Sequence, residues 1–199
     1  MTRSKTVSDE HVLEAARRVF LREGIRAPVS AVAKELGLSV ATVFFRTKSK
    51  DELLFRALRP PPPAAIELLN RGPQANRDPR SELLEILLLL CGFFLEAVPS
   101  LFLLATAGLF RRFERGLDPP KELRLAMTRW FRRAQTRGLH VKSPQVVSEL
   151  LISSLEARYT RAYVRGEKYS PAQNKEYLDR ILDQLIEVSQ GKSRGVSRD

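Results

Sequence analysis

At four places along the sequence, a residue whose side chain can cap a helix stands directly before a proline. Such a pair is typical of a helix start, because the capping side chain accepts a backbone N–H and proline fits the first helical turn. The chain has no stretch of strict apolar–polar alternation, which a half-buried strand would show. We therefore expect an all-α fold. The four pairs are Asp78-Pro79, Asp118-Pro119, Ser143-Pro144 and Ser170-Pro171.

The long helices predicted from these starts occupy most of the second half of the chain. We expect them over residues 79–97, 119–137, 144–165 and 171–189, with one more over 99–113. Four consecutive prolines at residues 60–63 interrupt the helical pattern before them, because proline lacks a backbone donor and favours extended chain. We expect three regions: an N-terminal domain over 1–59, a larger helical domain over 60–190, and a flexible basic tail over 191–199.

The chain carries a formal charge of +11. Residues 1–59 contain 12 Lys or Arg against 7 Asp or Glu, so this segment is more basic per residue than the remainder. Such a charge indicates a polyanionic partner, either nucleic acid or an acidic membrane surface. Cys91 is the only cysteine, which rules out a disulfide within one chain and fits a reducing cytoplasm. No secretory signal is visible at the N-terminus.

Residues 86–110 are long and apolar enough to resemble a membrane-spanning helix. Glu96 and Pro99 lie in the middle of this stretch, where a charge and a proline are both costly. We therefore expect two buried helices that meet at Pro99, and no membrane partner. The alternative function is that of a basic helical protein which binds membranes or lipids through this region.

Two short amphipathic stretches around a glycine turn follow a longer helix near the N-terminus. The longer helix, over residues 8–23, places its apolar side chains on one face. Helices over 29–36 and 39–46, separated by Gly37, match the pattern of a helix-turn-helix. A helical hairpin without a role in DNA binding is the alternative. The apolar face of the first helix consists of Val12, Ala15, Ala16, Val19 and Phe20.

A fourth helix is expected from the pattern Ser49-x-x-Glu52, which is that of a capping box. With this helix included, about the first 58 residues resemble the DNA-binding domain of the TetR family of regulators. The resemblance implies an N-terminal helix-turn-helix domain followed by a larger helical domain that binds a ligand and dimerises. The positions in step with the family pattern are Gly37, Ser39, Thr42, Val43, Phe44, Ser49, Lys50, Asp51 and Leu53.

The resemblance implies that the 39–46 helix recognises bases and that Lys50 contacts phosphate. Phe44 fits the family pattern but lacks the hydroxyl of the tyrosine that is often found there. The chain departs from the pattern at Arg46 and Thr47, which replace a common His-Phe pair. Arg46 could take over a phosphate contact, whereas Thr47 removes an apolar anchor. Ala27-Pro28 also lacks a threonine common in the family. We expect the DNA contacts to come from Ser39, Val40, Ala41, Thr42, Phe45, Arg46, Lys48 and Lys50.

The last two long helices are expected to form the dimer interface, as they do in the family; the alternative is a monomeric bundle. The predicted interface residues are Val147, Leu151, Ser154, Leu178, Leu182 and Leu185. A small, apolar ligand is expected among the middle helices, where large apolar side chains accumulate. The alternative is that these side chains are plain core. The predicted pocket residues are Cys91, Phe94, Glu96, Phe102, Phe110, Trp130 and Phe131.

An arginine cluster between residues 111 and 137 has three interpretations: a solvated face, a surface toward DNA or the N-terminal domain, and a subsite for an anionic ligand. With two histidines, no metal-ligand spacing and no phosphate-binding loop, we expect neither catalysis nor a cofactor. The expected function is that of a ligand-responsive repressor, acting as a homodimer on a near-palindromic double-stranded DNA operator. The 49–59 helix would transmit the ligand signal.

Overall fold

A computed structural model describes residues 7–112 and 119–188 of the chain. Contacts divide the chain into two compact units. The first consists of Met1–Pro61 and Glu96–Asp118, and the second of Pro62–Leu95 and Pro119–Asp199. The domain expected over 60–190 therefore differs from the observed grouping, in which residues 96–118 join the first unit. The tail predicted over 191–199 lies outside the described residues.

The all-α class predicted from the sequence is confirmed. The sheet structure in the described residues is one two-residue antiparallel pairing, of β1 (Leu139–His140) with β2 (Glu187–Val188). The helices are α1 (Asp9–Glu23), α2 (Val29–Leu36), α3 (Val40–Thr47), α4 (Lys50–Leu58), α5 (Ala65–Arg71), α6 (Pro79–Thr106), α7 (Pro119–Gln135), α8 (Pro144–Arg165) and α9 (Pro171–Leu185). The strand pairing joins the connection between α7 and α8 to the residues after α9 and forms no layer.

The first unit has its own hydrophobic core, built from α1 to α4 and the last part of α6. All five residues predicted for the apolar face of α1 are buried in this core. Leu104 of α6 is fully buried there, and Leu101 and Leu103 pack against it. Their burial explains why residues 96–118 group with the N-terminal segment: a helix distant in sequence fills part of its core.

The prediction of two helices meeting at Pro99 was wrong, because α6 continues through this residue. Proline inside a helix removes one backbone hydrogen bond and costs about 3 kcal/mol. The flanking Val98 and Ser100 are both buried, so packing on either side of the proline favours the helical path. Tertiary contacts here outweigh a local break signal.

The predicted helix starts are confirmed where the structure describes them. Ser143 and Ser170 accept hydrogen bonds from backbone N–H groups in the first turns of α8 and α9, and Ser170 forms a complete capping box with Gln173. At the other end, α9 stops at Leu185, several residues before the predicted 189, because Glu187 and Val188 pair with β1 instead.

The core of the second unit lies between α7 and its neighbours α5 and α8. Trp130 and Phe131 of α7 are its largest buried side chains, and their rings meet edge to face at a centroid distance of 5.7 Å. The first part of α6 contributes Leu83, Ile86, Leu87 and Leu90, all buried. By length and composition alone, α6 could also cross a membrane. Of its most apolar 18-residue window, 44% is buried in these cores.

Candidate nucleic-acid interface

A tight glycine turn joins α2 to α3. Gly37 has φ +65° and ψ 29°, a left-handed conformation that favours glycine, and its N–H donates to the carbonyls of Ala33 and Lys34. The Leu38 N–H donates to the Ala33 carbonyl at 2.9 Å, which closes the end of α2. The predicted turn is therefore present, with Ala33 buried beneath it.

Ser39 begins α3 as its N-cap. Its hydroxyl accepts a hydrogen bond from the Thr42 backbone N–H at 3.1 Å, and the Ser39 and Thr42 hydroxyls lie 2.8 Å apart. Both side chains therefore contribute to the geometry at the leading end of α3. Ser39 is exposed and Thr42 is half-buried.

One face of α3 is buried and the other is open. Val43 is fully buried and Thr47 nearly so. Thr47, where the family pattern has an apolar anchor, donates its hydroxyl to the Val43 carbonyl at 3.0 Å, so its polar group is satisfied in the core. On the open face, Ala41 is exposed, Val40 is 37% exposed and Phe45 is 89% exposed. A phenylalanine this exposed on a short helix is unusual, because the exposure of its apolar ring to water is unfavourable.

An ion-pair network fixes the last turn of α3. The Arg46 guanidinium donates to the Asp9 carboxylate at 2.6 Å. Arg56 of α4 donates to the Arg46 carbonyl at 3.1 Å and lies 3.7 Å from the same carboxylate. Arg46 is thus engaged within the unit, and its DNA contact stays a prediction. The sequence carries no signal for Asp9 in this role, because the partners are 37 residues apart.

Two lysines flank the end of α3. Lys48 is exposed and has φ +64°, the one positive φ outside glycine among the described residues. Lys50 is the first residue of α4, whose N-cap Ser49 accepts from the Glu52 N–H at 3.1 Å. This hydrogen bond is half of the predicted capping box. The Glu52 carboxylate pairs with Arg112.

The structure divides the seven predicted pocket residues between the two units. Glu96, Phe102 and Phe110 belong to the first unit, where Glu96 and Phe102 are exposed and Phe110 is half-buried. The other four lie buried in the second unit: Cys91, Phe94, Trp130 and Phe131.

Cys91 and Phe94 both meet Tyr159 of α8. The Phe94 and Tyr159 rings are stacked with centroids 6.5 Å apart. Burial raises the pKa of the Cys91 thiol and of the Tyr159 hydroxyl, and the hydrogen bond between them moves the two values in opposite directions, down for Cys91 and up for Tyr159. Both groups are therefore neutral near pH 7.

Most of the predicted dimer-interface residues are buried within the chain itself, and their role in a dimer stays a prediction. Leu151, Leu178 and Leu182 are fully buried and Val147 is nearly so, all within the chain's own second unit. A side chain that is buried in the core of its own chain has little exposed surface that could contact a partner chain. Ser154 and Leu185 are half-buried. Val146, Leu150 and Val164 are exposed apolar side chains of α8. Their spacing of i, i+4 and i+18 places them on one face of the helix, so the sequence could have indicated this face.

Within residues 7–112 and 119–188, no group of three or more His, Cys, Asp or Glu side chains could hold a metal ion. The arrangement that the first unit offers is a braced helix with an open face flanked by lysines. These features define a helix-turn-helix DNA-binding protein with a second, helical unit.

Residues 12–57 match the family model described as bacterial regulatory proteins, tetR family. Over these residues the chain is similar to the DNA-binding segment of that family, and the match coincides with the helix-turn-helix of the first unit. No curated protein sequence matches the chain.

Solved structures of the same fold share little sequence with it. A putative TetR-family transcriptional regulator from Mesorhizobium loti is 15% identical, with a TM-score of 0.68 over 88% of this chain and 93% of that one. NalD, the secondary repressor of a multidrug efflux pump in Pseudomonas aeruginosa, is 21% identical, with a TM-score of 0.63 over 88% and 94%. A putative transcriptional regulator from Saccharomonospora viridis in complex with choline is 20% identical, with a TM-score of 0.68 over 90% and 96%.

Proposed function

We propose that this protein is a cytoplasmic, ligand-responsive repressor that binds a near-palindromic operator as a homodimer. The exposed face of α3 is the observation that supports DNA binding. Phe45 is 89% exposed on a helix whose opposite face is buried in the core. A rigid helix with an exposed apolar side chain fits the major groove, where thymine methyl groups are apolar partners.

The side chains at the leading end and open face of α3 would read bases: Val40, Ala41, Thr42 and Phe45. Lys48 and Lys50 would contact phosphates. Lys50 stands in the first turn of α4, where the positive end of the helix dipole disfavours a cation. A phosphate placed between Lys50 and the N-terminal amides would interact favourably with both.

Selection of bound fragments from the genomic DNA of the source organism tests the proposal. Lys50→Ala should weaken binding to all sequences and lower the salt slope by about 1, because one phosphate contact is lost. Thr42→Ala should change sequence preference and leave the slope unchanged. Equal effects of both substitutions on all sequences would contradict these roles.

The dimer would form through the exposed apolar face of α8. Val146, Leu150, Ala157 and Val164 are all exposed. Their spacings of four, seven and seven residues return to nearly the same side of a helix, so they form one stripe. An apolar stripe on a long helix is stabilised by burial against a copy of itself, and a two-fold dimer presents two recognition helices to a near-palindrome.

The ligand would bind in the second unit, near the buried residues Cys91, Phe94, Trp130 and Phe131. The Trp130 indole N–H is buried and has no hydrogen-bond partner in the part of the chain that the structure describes. A buried donor without an acceptor is costly, so a ligand that supplies an acceptor would be stabilised there. The surrounding side chains favour a ligand that is otherwise apolar.

Trp130 is the only tryptophan, so its fluorescence reports on this region alone. Small apolar compounds with one acceptor group should shift its emission and release the selected DNA. In a reporter strain, the same compound should restore expression from a promoter that carries the fragment. A compound that releases DNA without changing the emission would place the ligand elsewhere, and activation of the reporter by the protein would contradict a repressor.

A further inference from the structure

A groove of about 440 Å³ lies on the second unit, between α7 and the first turns of α8. It is distinct from the buried residues proposed above for the apolar ligand. Six of its lining residues have charged or amide side chains that could bind a ligand. Four are the cations Lys121, Arg124, Arg129 and Arg132 of α7, and two are Gln145 and Glu149 of α8.

The cations follow the spacing that one helix face requires. Positions 121, 124, 125, 128, 129 and 132 recur every three or four residues, which is the pattern of a stripe facing a neighbouring element. In most helices such a stripe is apolar. Here it is mainly basic.

Some arginines of α7 have structural roles, and those differ from the ones in the groove. Arg133 donates to the Asn70 carbonyl at 2.8 Å, and Arg137 donates to the Ala75 carbonyl at 2.6 Å. Neither lines the groove. These hydrogen bonds satisfy one carbonyl in the last turn of α5 and one in the connection between α5 and α6, so the fold explains these two positions.

The arginines that line the groove have few hydrogen-bond and ion-pair partners. Arg124 pairs with Glu149 at 3.0 Å, and Arg129 donates to the Asn70 side-chain oxygen at 2.9 Å. The Arg132 side chain is exposed, and its guanidinium has no hydrogen bond or ion pair with any residue in 7–112 or 119–188. The lining therefore has four cations against one carboxylate, a net charge of +3. Like charges gathered along one groove repel each other, and a bound anion would relieve that repulsion.

We propose that this groove binds a small anion that carries at least two phosphate or carboxylate groups. Arg132 and Arg129 would hold one anionic group through charge-assisted hydrogen bonds, and Lys121 would face the other. The size of the groove is that of a small-molecule site. Leu125, which is 50% exposed in the lining, offers an apolar edge for a carbon skeleton. Glu149 disfavours the continuous phosphate backbone of a nucleic acid at the same place.

Calorimetric titration of the full chain with pyrophosphate, and separately with citrate, tests this site and separates phosphate from carboxylate ligands. Arg132→Ala should weaken binding about tenfold, because a charge-assisted hydrogen bond is lost. Glu149→Gln should tighten it, because a repelling carboxylate is removed and Arg124 is released. Arg180→Ala is the matched control: it removes the same charge from an exposed side chain on α9, outside the groove.

The proposal is supported if the two groove variants change the affinity in opposite directions while the Arg180 variant retains the affinity of the unmodified chain. It is overturned if neither anion binds at low ionic strength, or if Arg132→Ala and Arg180→Ala have equal effects. Because the titration contains no DNA, its outcome is independent of operator binding.

Discussion

The guanidinium of Arg46 lies 2.6 Å from the carboxylate of Asp9, so the last turn of α3 is tied to the first turn of α1. Thr47, with no large apolar side chain, offers less apolar anchoring at the same end of the helix. We therefore expect the ion pair to restrain the orientation of the open face of α3 relative to α1.

Substitution of Asp9 distinguishes a role in orienting α3 from a general effect of charge on DNA binding. Loss of an acidic charge should strengthen non-specific attraction to DNA. Because Asp9→Ala also frees Arg46, we expect the preference for a selected fragment over random DNA to fall by at most about fivefold, which corresponds to the upper end, about 1 kcal/mol, for an exposed ion pair. Competition binding measures this ratio. The control is Glu10→Ala, an adjacent exposed acid in the same helix turn; an equal loss in both variants would contradict a positioning role.

Phe45→Ala should reduce sequence preference with little effect on folding. The side chain is 89% exposed, so its truncation should change the free energy of unfolding by less than about 0.5 kcal/mol. Binding to the selected fragment should weaken by about tenfold or more if the ring contacts base edges. Leu21→Ala, at a 41% exposed position of α1, is the control and should leave DNA binding unchanged. Unaltered binding by the Phe45 variant would remove this residue from the interface.

Leu150→Glu should dissociate the proposed dimer, because two carboxylates would face an apolar partner surface. The molar mass measured by light scattering should fall from that of two chains to that of one. Leu89→Glu introduces the same charge at a similarly exposed position of α6 and should leave the mass at two chains. A dimeric Leu150 variant would show that another surface mediates assembly.

Asp78 caps α6 through a carboxylate that accepts from the Ser81 hydroxyl at 2.7 Å and from the Ser81 N–H at 2.8 Å. These hydrogen bonds hold the pKa of Asp78 below its ordinary value. The carboxylate therefore contributes stability above its unfolded pKa, and this contribution is lost as the pH falls through the folded pKa.

Urea unfolding near neutral pH should show a loss of about 1 kcal/mol for Asp78→Ala and a smaller loss for Asp78→Asn, which keeps an acceptor. At about pH 3 the difference between the unmodified chain and the Ala variant should shrink, since protonation weakens the cap. A difference that grows toward acid pH would have the wrong sign for this cap.

Cys91 should react slowly with thiol reagents in the folded chain. It is 2% exposed, and burial raises the pKa of its thiol, so both access and thiolate population are low near neutral pH. Since it is the only cysteine, colorimetric titration with a disulfide reagent reports on it alone. Unfolding in urea should make the reaction rapid and stoichiometric. Rapid labelling before unfolding would show that this region of the second unit opens readily.

Features that depend on a few neighbouring residues could be predicted before the fold was known. The capping serines at 39, 49, 143 and 170 marked helix starts, the one-sided spacing from Val12 to Phe20 identified a buried face, and Gly37 identified the turn. The family pattern over the first 58 residues followed from the same local features. Each is encoded within one or two helical turns, where backbone geometry and hydrogen bonding dominate.

Local patterns did not predict which apolar face packs against which neighbouring element; the three-dimensional fold was needed for that. It carried α6 through Pro99, brought Leu104 into the first unit, and buried Leu151 where a partner had been expected. It also joined Asp9 to Arg46 and left Arg132 of the anion groove without an ion pair in the described residues. These outcomes depend on contacts between residues far apart in sequence, whose burial free energy can exceed a local preference of a few kcal/mol.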